Sequence, residues 1–427
     1  MTRHMFRGLA APQRACTHSQ HVGSQPARSS GSARRWGRWL ARPLAFAMAL
    51  MLLAGSQAVA QQVADAGSAA ELRDADGFLQ AGPGRELRLP ADHASHPQTR
   101  TEWWYFTGPL TDAEGRRYGF QATWFRRALK LEAAPRESAL GVRDVLIFHG
   151  ALTDLSAGEL LHAEASTRAA EPWGRAATDG LDVSVYENSL RSDDDAGTAQ
   201  MAFRAGSAWL QLDLDLAASP VLLHGALPGL SIKGHESGQA SWYYTLPAIG
   251  VTGTLLRDDG ESVTVTGRAW MDHEFGSSQL SGEQVGWDWF SVALDDGSAL
   301  MAYRLRLADG SPDTTSSGTL ALPGQPARHL TRDQVDVTVT DTWTSPTNGA
   351  TYPAAWTLAI PSADLELRVT PLLADQELDA ASTGTTYWEG LCRFEGTRAG
   401  QPIIGEGYVE LVGYVAPISD RFASTDS

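Results

Sequence analysis

From Ala208 to Leu216 the chain alternates: Leu210, Leu212, Leu214 and Leu216 fall on one side, while Gln211, Asp213 and Asp215 fall on the other. Side chains that change sides at every residue belong to an extended strand with one buried and one wet face. Val335, Val337 and Val339 alternate in the same way with Asp336, Thr338 and Thr340, and Val263 and Val265 with Thr264 and Thr266. Short segments of this kind follow one another, separated by Gly, Asp, Pro and Ser. No long stretch holds the helical period. Parallel sheets need crossover helices, so an all-β, antiparallel fold is expected rather than an α/β one.

An internal repeat organises these segments. Glu102-Trp103-Trp104-Tyr105-Phe106, continuing through Leu110, Asp112 and Gly115 to Arg126, is echoed by Gly286-Trp287-Asp288-Trp289-Phe290, continuing through Leu294, Asp295 and Gly297 to Arg306. Gly267-Arg268-Ala269-Trp270-Met271-Asp272 is echoed by Gly405-Glu406-Gly407-Tyr408-Val409-Glu410. Hairpins with Trp at their start and Gly in their turns also resemble one another without common descent; matches at both ends of each half favour duplication. The polar break from Gly276 to Gln284 separates the halves, giving domains over residues 85–276 and 277–420. A strand-only domain must protect its edges. Closure into a barrel does so and leaves an interior able to hold one small ligand. The expected architecture is therefore two tandem antiparallel β-barrels from a duplicated domain.

Residues 1–60 hold eight Arg and no Asp or Glu, and their apolar run, Leu44 to Ala54, is eleven residues long. That is short of the roughly 20 residues a membrane-spanning helix needs. With Arg34, Arg35, Arg38 and Arg42 before it and Ala58-Val59-Ala60 after it, the run reads as a secretory signal peptide, followed by a linker over residues 61–84. A periplasmic or secreted mature chain starting near Gln61 is expected. The formal net charge is −16, and removal of eight positive charges leaves −24, which argues against nucleic acid as a partner because that affinity comes from Lys and Arg neutralising phosphate. Cys392 is then the sole cysteine, which excludes an internal disulfide and a Cys-rich metal site.

His96-Pro97, Glu102-Trp103-Trp104-Tyr105-Phe106-Thr107-Gly108, Tyr118-Gly119-Phe120-Gln121 and Phe125-Arg126 together resemble the opening signature of the AttH and hydroxyneurosporene synthase (carotenoid 1,2-hydratase) family. Further matches follow in order: His149 before Ala151-Leu152-Thr153-Asp154; Lys233-Gly234 with Ser241-Trp242-Tyr243-Tyr244; Trp270-Met271-Asp272-His273-Glu274; Gly286-Trp287-Asp288-Trp289; Tyr352-Pro353 with Trp356; Tyr387-Trp388-Glu389-Gly390; and Gly407-Tyr408-Val409-Glu410. The resemblance runs from about His96 to Tyr414. It implies two lipocalin-like domains and a hydrophobic isoprenoid or lipid-like small molecule as partner. It also implies one of several activities: hydration of a terminal double bond of acyclic carotenoids, cyclisation in fungal relatives, or a role beside an ABC transport system. The fold does not decide among them.

Hydrating an unactivated alkene needs a strong proton donor, a surface that tolerates a tertiary cation, and a placed water. Burial can keep a carboxylic acid protonated, and a Trp face stabilises a cation by roughly 0.5 to 2 kcal/mol. On a strand, Trp270, Asp272 and Glu274 share a face. The resemblance implies a Trp-x-Asp pair as acid and aromatic neighbour, which Trp270 and Asp272 match. Tyr352 and Trp388 are candidate cavity aromatics, and Glu274 is a candidate ligand contact. Trp287 and Trp289, on one strand face, read as core or cavity lining. His149 reads as a core or turn histidine or as a ligand contact. The alternative for Asp272 is structural, with Arg268, four residues away, as its ion-pair partner. Alternation sends His273 to the face opposite the two carboxylates, so no metal site is expected there; no cofactor is expected, and Glu102 reads as an anchor at the barrel mouth. The chain lacks the Gly-x-Ser-x-Gly elbow, the phosphate loop and the His-Glu-x-x-His helix. Two function classes stand: an acid-catalysed hydratase, and a non-enzymatic lipophilic carrier serving an envelope ABC transporter.

Overall fold

The structure is a computed structural model that describes residues 71–131, 142–192, 197–278 and 280–418. The expected signal peptide lies outside the described residues.

The first half forms β1 (Thr101–Asp112), β2 (Arg117–Ala128), β3 (Asp144–Asp154), β4 (Glu159–Arg168), β5 (Gly174–Ala176), β6 (Asp182–Val185), β7 (Asn188–Ser192), β8 (Thr198–Ala205), β9 (Ala208–Asp215), β10 (Leu222–Leu223), β11 (Leu230–Ile232), β12 (Ala240–Leu256) and β13 (Ser262–Ser278). The second half forms β14 (Gln284–Leu294), β15 (Ala299–Leu307), β16 (Ser317–Ala321), β17 (Arg328–Thr331), β18 (Asp336–Thr344), β19 (Thr351–Ile360), β20 (Leu365–Pro371), β21 (Glu377–Ala380), β22 (Thr385–Arg398) and β23 (Gln401–Val412). The fold is all-β, as the alternation requires: one sheet curls into a nearly closed barrel and the other into a half-barrel. Change of sheet falls between Ser278 and Gln284.

The two sheets are wound alike. The first has the order β4-β3-β2-β1-β13-β12-β9-β8-β7-β6-β5, the second β17-β16-β15-β14-β23-β22-β20-β19-β18. In each, the first strand of the half lies between its second strand and its last. Close approach at that join selects glycine at matching places. A Cβ on Gly267 would lie 2.0 Å from the Pro109 carbonyl oxygen, and one on Gly405 would lie 2.3 Å from that of Ala293.

Each sheet wraps its own core. Leu210, Leu212 and Leu214 of β9 are buried with Phe106, Trp124 and Phe203, while Gln211, Asp213 and Asp215 are exposed. The second core gathers Phe290, Trp356, Leu367 and Phe394. Each such side chain contributes about 1.5 to 3 kcal/mol by leaving water. The strand expected around Val335 to Thr340 departs from its pattern: Val335 and Val337 pack on the second core, but Val339 is 41% exposed. Val339 keeps its register with β19, but β18 is the edge strand of the second sheet and its pairing shifts just beyond this residue. Residues 71–84, within the expected linker, pack on the first half: Phe78 is fully buried beneath the Arg100 guanidinium, and Ser277 donates to the Leu79 carbonyl.

A third apolar cluster lies between the two sheets. It takes Tyr105, Tyr243 and Trp270 from the first and Trp289, Tyr303, Leu391 and Tyr408 from the second.

Candidate active site

Alternation along β13 sends Met271 into the first core and turns Trp270 and Asp272 to the seam between the sheets. Asp272 is 3% exposed. Its Oδ1 accepts from Trp270 Nε1 at 2.7 Å and from the Thr245 hydroxyl, and its Oδ2 accepts from the Tyr243 hydroxyl. Burial pushes this carboxyl up; the Thr245, Tyr243 and Trp270 donors oppose it without cancelling it, the Glu274 charge adds to it, and the group is held at about 7. It therefore retains a proton well above the usual carboxylate range, as an acid catalyst near neutrality must. Arg268, the alternative partner, is exposed and lines a cleft instead of bonding Asp272.

Glu274 sits two residues along on the same face. It accepts from the Ser241 hydroxyl and lies 3.2 Å from Lys233 Nζ. Lys233 is 7% exposed, with its ammonium 4.0 Å from the Tyr303 ring centroid and 4.9 Å from that of Tyr243. Burial works against its charge, but Glu274, the Tyr303 phenol and Asp272 outweigh burial and raise it.

The second sheet faces these groups with Trp287 and Trp289, both on the seam side of β14. Trp289 Nε1 donates to Tyr243 Oη at 3.2 Å, and the ring meets Tyr105 edge-on at 5.2 Å and Trp270 at 6.3 Å. Trp287 Nε1 donates to Glu410 Oε2 at 2.8 Å. Burial, and then the charge of Glu410, hold Glu389 well above the carboxylate range. Burial also raises Glu410, to about 7, against the Trp287 hydrogen bond. Tyr105 Oη donates to Glu389 Oε1 at 2.6 Å. A cleft of about 350 Å³ opens beside this seam, between Thr107 and Arg268 on one side and Ser291 and Glu406 on the other, with Trp270 and Tyr408 in its wall.

The structure thus brings together Asp272, Trp270, Glu274, Trp287 and Trp289. It does not bring Tyr352 and Trp388 to them. On β22, Glu389 takes the seam face, so its neighbour Trp388 points into the second core, where its Nε1 donates to the Ala374 carbonyl. Tyr352 lies in the same core, and its hydroxyl donates to Glu377 at 2.7 Å. His149 bonds Tyr387 Oη at 3.1 Å through Nδ1 and Ser382 Oγ at 3.0 Å through Nε2, joining the halves away from Asp272; burial lowers it to about 4.

His273 does point away from the carboxylates, into a polar cluster of the first half. Among the described residues, His96, Glu102 and His273 place ligand-type atoms within 4.8 Å of one another. Glu102 is already bonded to Arg126 Nε at 2.8 Å, Ser95 Oγ at 2.9 Å and His96 Nδ1 at 2.7 Å. Burial raises the Glu102 carboxyl, yet Arg126 and the two histidines outweigh it and hold the group well below the usual range. These bonds tie the turn at Ala91–His93 to β1 and β2.

Residue-by-residue reading missed Tyr105, Tyr243, Thr245, Lys233, Glu389 and Glu410. Two signals were available. Lys233 is one of only two lysines in the chain, and the repeat aligns Glu410 with Asp272.

A family model described as AttH-like matches residues 80–414. The crystal structure of an AttH protein from Nitrosomonas europaea is 37% identical, with a TM-score of 0.71, over 79% of this chain and 100% of that one. Kievitone hydratase from Nectria haematococca shares the fold, with a TM-score of 0.60 at 18% identity over 81% of this chain and 98% of that one. The kievitone hydratase sequence of Fusarium solani subsp. phaseoli is 22% identical over 235 residues, 54% of this chain and 65% of that enzyme's length.

Proposed function

The chain belongs to the AttH-like family, and from that premise we propose that it hydrates a carbon–carbon double bond of a hydrophobic, isoprenoid or lipid-like small molecule, with Asp272 as the acid. The observation that carries this reading is a buried carboxyl held at about 7 among Trp270, Trp289, Tyr105 and Tyr243. In the proposed step the Asp272 proton passes to one alkene carbon, the π electrons form the new C–H bond, and the Trp faces lower the energy of the tertiary cation. Each desolvated face is worth roughly 0.5 to 2 kcal/mol. Water then adds to the cation and loses a proton. The likeness to kievitone hydratase supports hydration as the reaction class. The cleft beside Trp270 is the route by which an apolar chain reaches the seam.

Export to the periplasm belongs to the same proposal. The competing reading is a lipophilic carrier for an envelope ABC transport system, favoured by one observation: Asp272 already has three donors. Native mass spectrometry with lipid extraction, on protein from its own cells, separates the two. Hydration requires a hydrated hydrophobic molecule on the wild type and its unhydrated form on Asp272→Asn. The same lipid on both proteins removes Asp272 from catalysis and leaves a carrier.

A further inference from the structure

The seam is built twice over. The repeat that aligns Trp270 and Asp272 with Tyr408 and Glu410 also aligns Tyr105 with Trp289. Strand registers obey the same correspondence: Tyr105 lies opposite Asp272 and Trp289 opposite Glu410, while Thr107 lies opposite Trp270 and Ser291 opposite Tyr408. On the other flank, Thr245 lies opposite Asp272 and Glu389 opposite Glu410. The two halves therefore meet through equivalent faces, as subunits do across a two-fold axis, and each brings a carboxyl to the same place. The second half brings two, because Glu389 stands where the first half has Thr245.

Glu389 and Glu410 are 2% exposed and partly exposed, respectively, on one face of adjacent strands. Directly opposed side chains have Cβ atoms about 4.5 to 5.5 Å apart, and two carboxyls so placed in a largely buried site disfavour each other's ionisation. With Glu410 held at about 7 and Glu389 above the carboxylate range, the pair carries one carboxylate once pH rises past about 7. The pair adjoins the Asp272 centre at two points. Tyr105, cross-strand from Asp272, donates to Glu389; Trp289, cross-strand from Glu410, donates to Tyr243, which donates to Asp272. Two buried oxygens nearby, Gln121 Oε1 and Thr123 Oγ1, have no hydrogen-bond partner among the described residues, and the Thr107 hydroxyl lies beside them with the Tyr105 phenol as its neighbour. They lie on neighbouring positions of β1 and β2, Thr107 opposite Gln121 and Tyr105 opposite Thr123. Such groups are suited to hold a water.

We propose that Glu389 and Glu410 form a second catalytic unit, the base that takes a proton from the adding water, with Thr107, Gln121 and Thr123 positioning that water. This rests on the hydration reading above. Asp272 gives its proton to carbon and becomes a carboxylate. The water oxygen bonds to the cation, and its proton goes to the carboxylate of the pair. Return of one proton from the pair to Asp272 restores the site, and the net reaction is alkene plus water to alcohol.

The test uses the full chain in D2O with lycopene in detergent micelles and with kievitone as probes. The wild type is expected to yield an alcohol bearing one carbon-bound deuterium. Glu410→Gln and Glu389→Gln should each lower alcohol formation by about 10²-fold or more, the usual worth of a placed base. Both should still deuterate recovered alkene, because the cation formed by addition of a deuteron can lose a protium to the Asp272 carboxylate when water cannot add. Asp272→Asn should lose deuteration and alcohol together. Wild-type hydration rates in both Gln variants overturn this inference and leave the hydration reading standing; a wild type that neither hydrates nor deuterates either probe overturns the reading beneath it. Loss of deuteration in a folded Gln variant also overturns the role as base. Should a Gln variant not fold, Tyr105→Phe removes only the link to Glu389: alcohol formation should fall with deuteration kept, and an unchanged rate overturns the proposal.

Discussion

Replacing Asp272 by Asn should change how stability depends on pH. Asp272 is held at about 7 in the folded chain against an ordinary value of 3.8, so the folded state keeps a proton that the unfolded chain releases. The contribution is fully present below 3.8 and is lost as pH rises toward 7. At 1.36 kcal/mol per pKa unit, the total is about 4 kcal/mol. Asn cannot ionise, and its amide can replace the carboxyl: Oδ1 accepts from Trp270 and Thr245, and Nδ2 donates to Tyr243 Oη. Urea unfolding of both proteins from pH 5 to pH 8 reads the difference. The stability of the variant relative to wild type should rise by about 2 to 3 kcal/mol across that range. Parallel curves would refute the claim that Asp272 holds its proton in the folded protein.

Other perturbations follow from the same geometry. Trp270→Phe keeps an aromatic wall but removes a donor that favours the Asp272 carboxylate, so the alkaline fall of hydration should move to higher pH, as a rate–pH profile would register. Lys233→Met leaves Glu274 buried without its cation and should cost about 3 to 5 kcal/mol in chemical denaturation; Lys233→Met with Glu274→Gln should recover part of that loss. Glu102→Ala strands Arg126 and should destabilise by a similar amount, about 3 to 5 kcal/mol, measured as a lower midpoint in a urea titration.

Alternation read correctly wherever one strand face is dry. Leu210 to Leu214 turned inward, and Trp270 and Asp272 shared a face because the side-chain period is 2. The repeat carried the winding of both sheets, since each half must seat its first strand beside its last. What periodicity could not say is which face of a strand meets its own core and which meets the other half. For that reason the alternation does not tell that Trp388 and Tyr352 face the second core while Glu389 faces the seam. Lys233 belongs to the family match, but its place beside Glu274 is not legible because it lies between strands, where no periodicity marks it, and reaches Glu274 only through tertiary packing. The exposure of Val339 is not legible because an alternating sequence does not mark which strand ends up at a sheet edge.

Incubation with lycopene or kievitone in H2¹⁸O, followed by mass spectrometry of the products, tests Asp272 as the acid of a hydratase most directly. Wild-type protein should yield an alcohol carrying one ¹⁸O, and folded Asp272→Asn should return the alkene unchanged. An equal yield of labelled alcohol from both proteins would contradict the assignment of Asp272 as the acid.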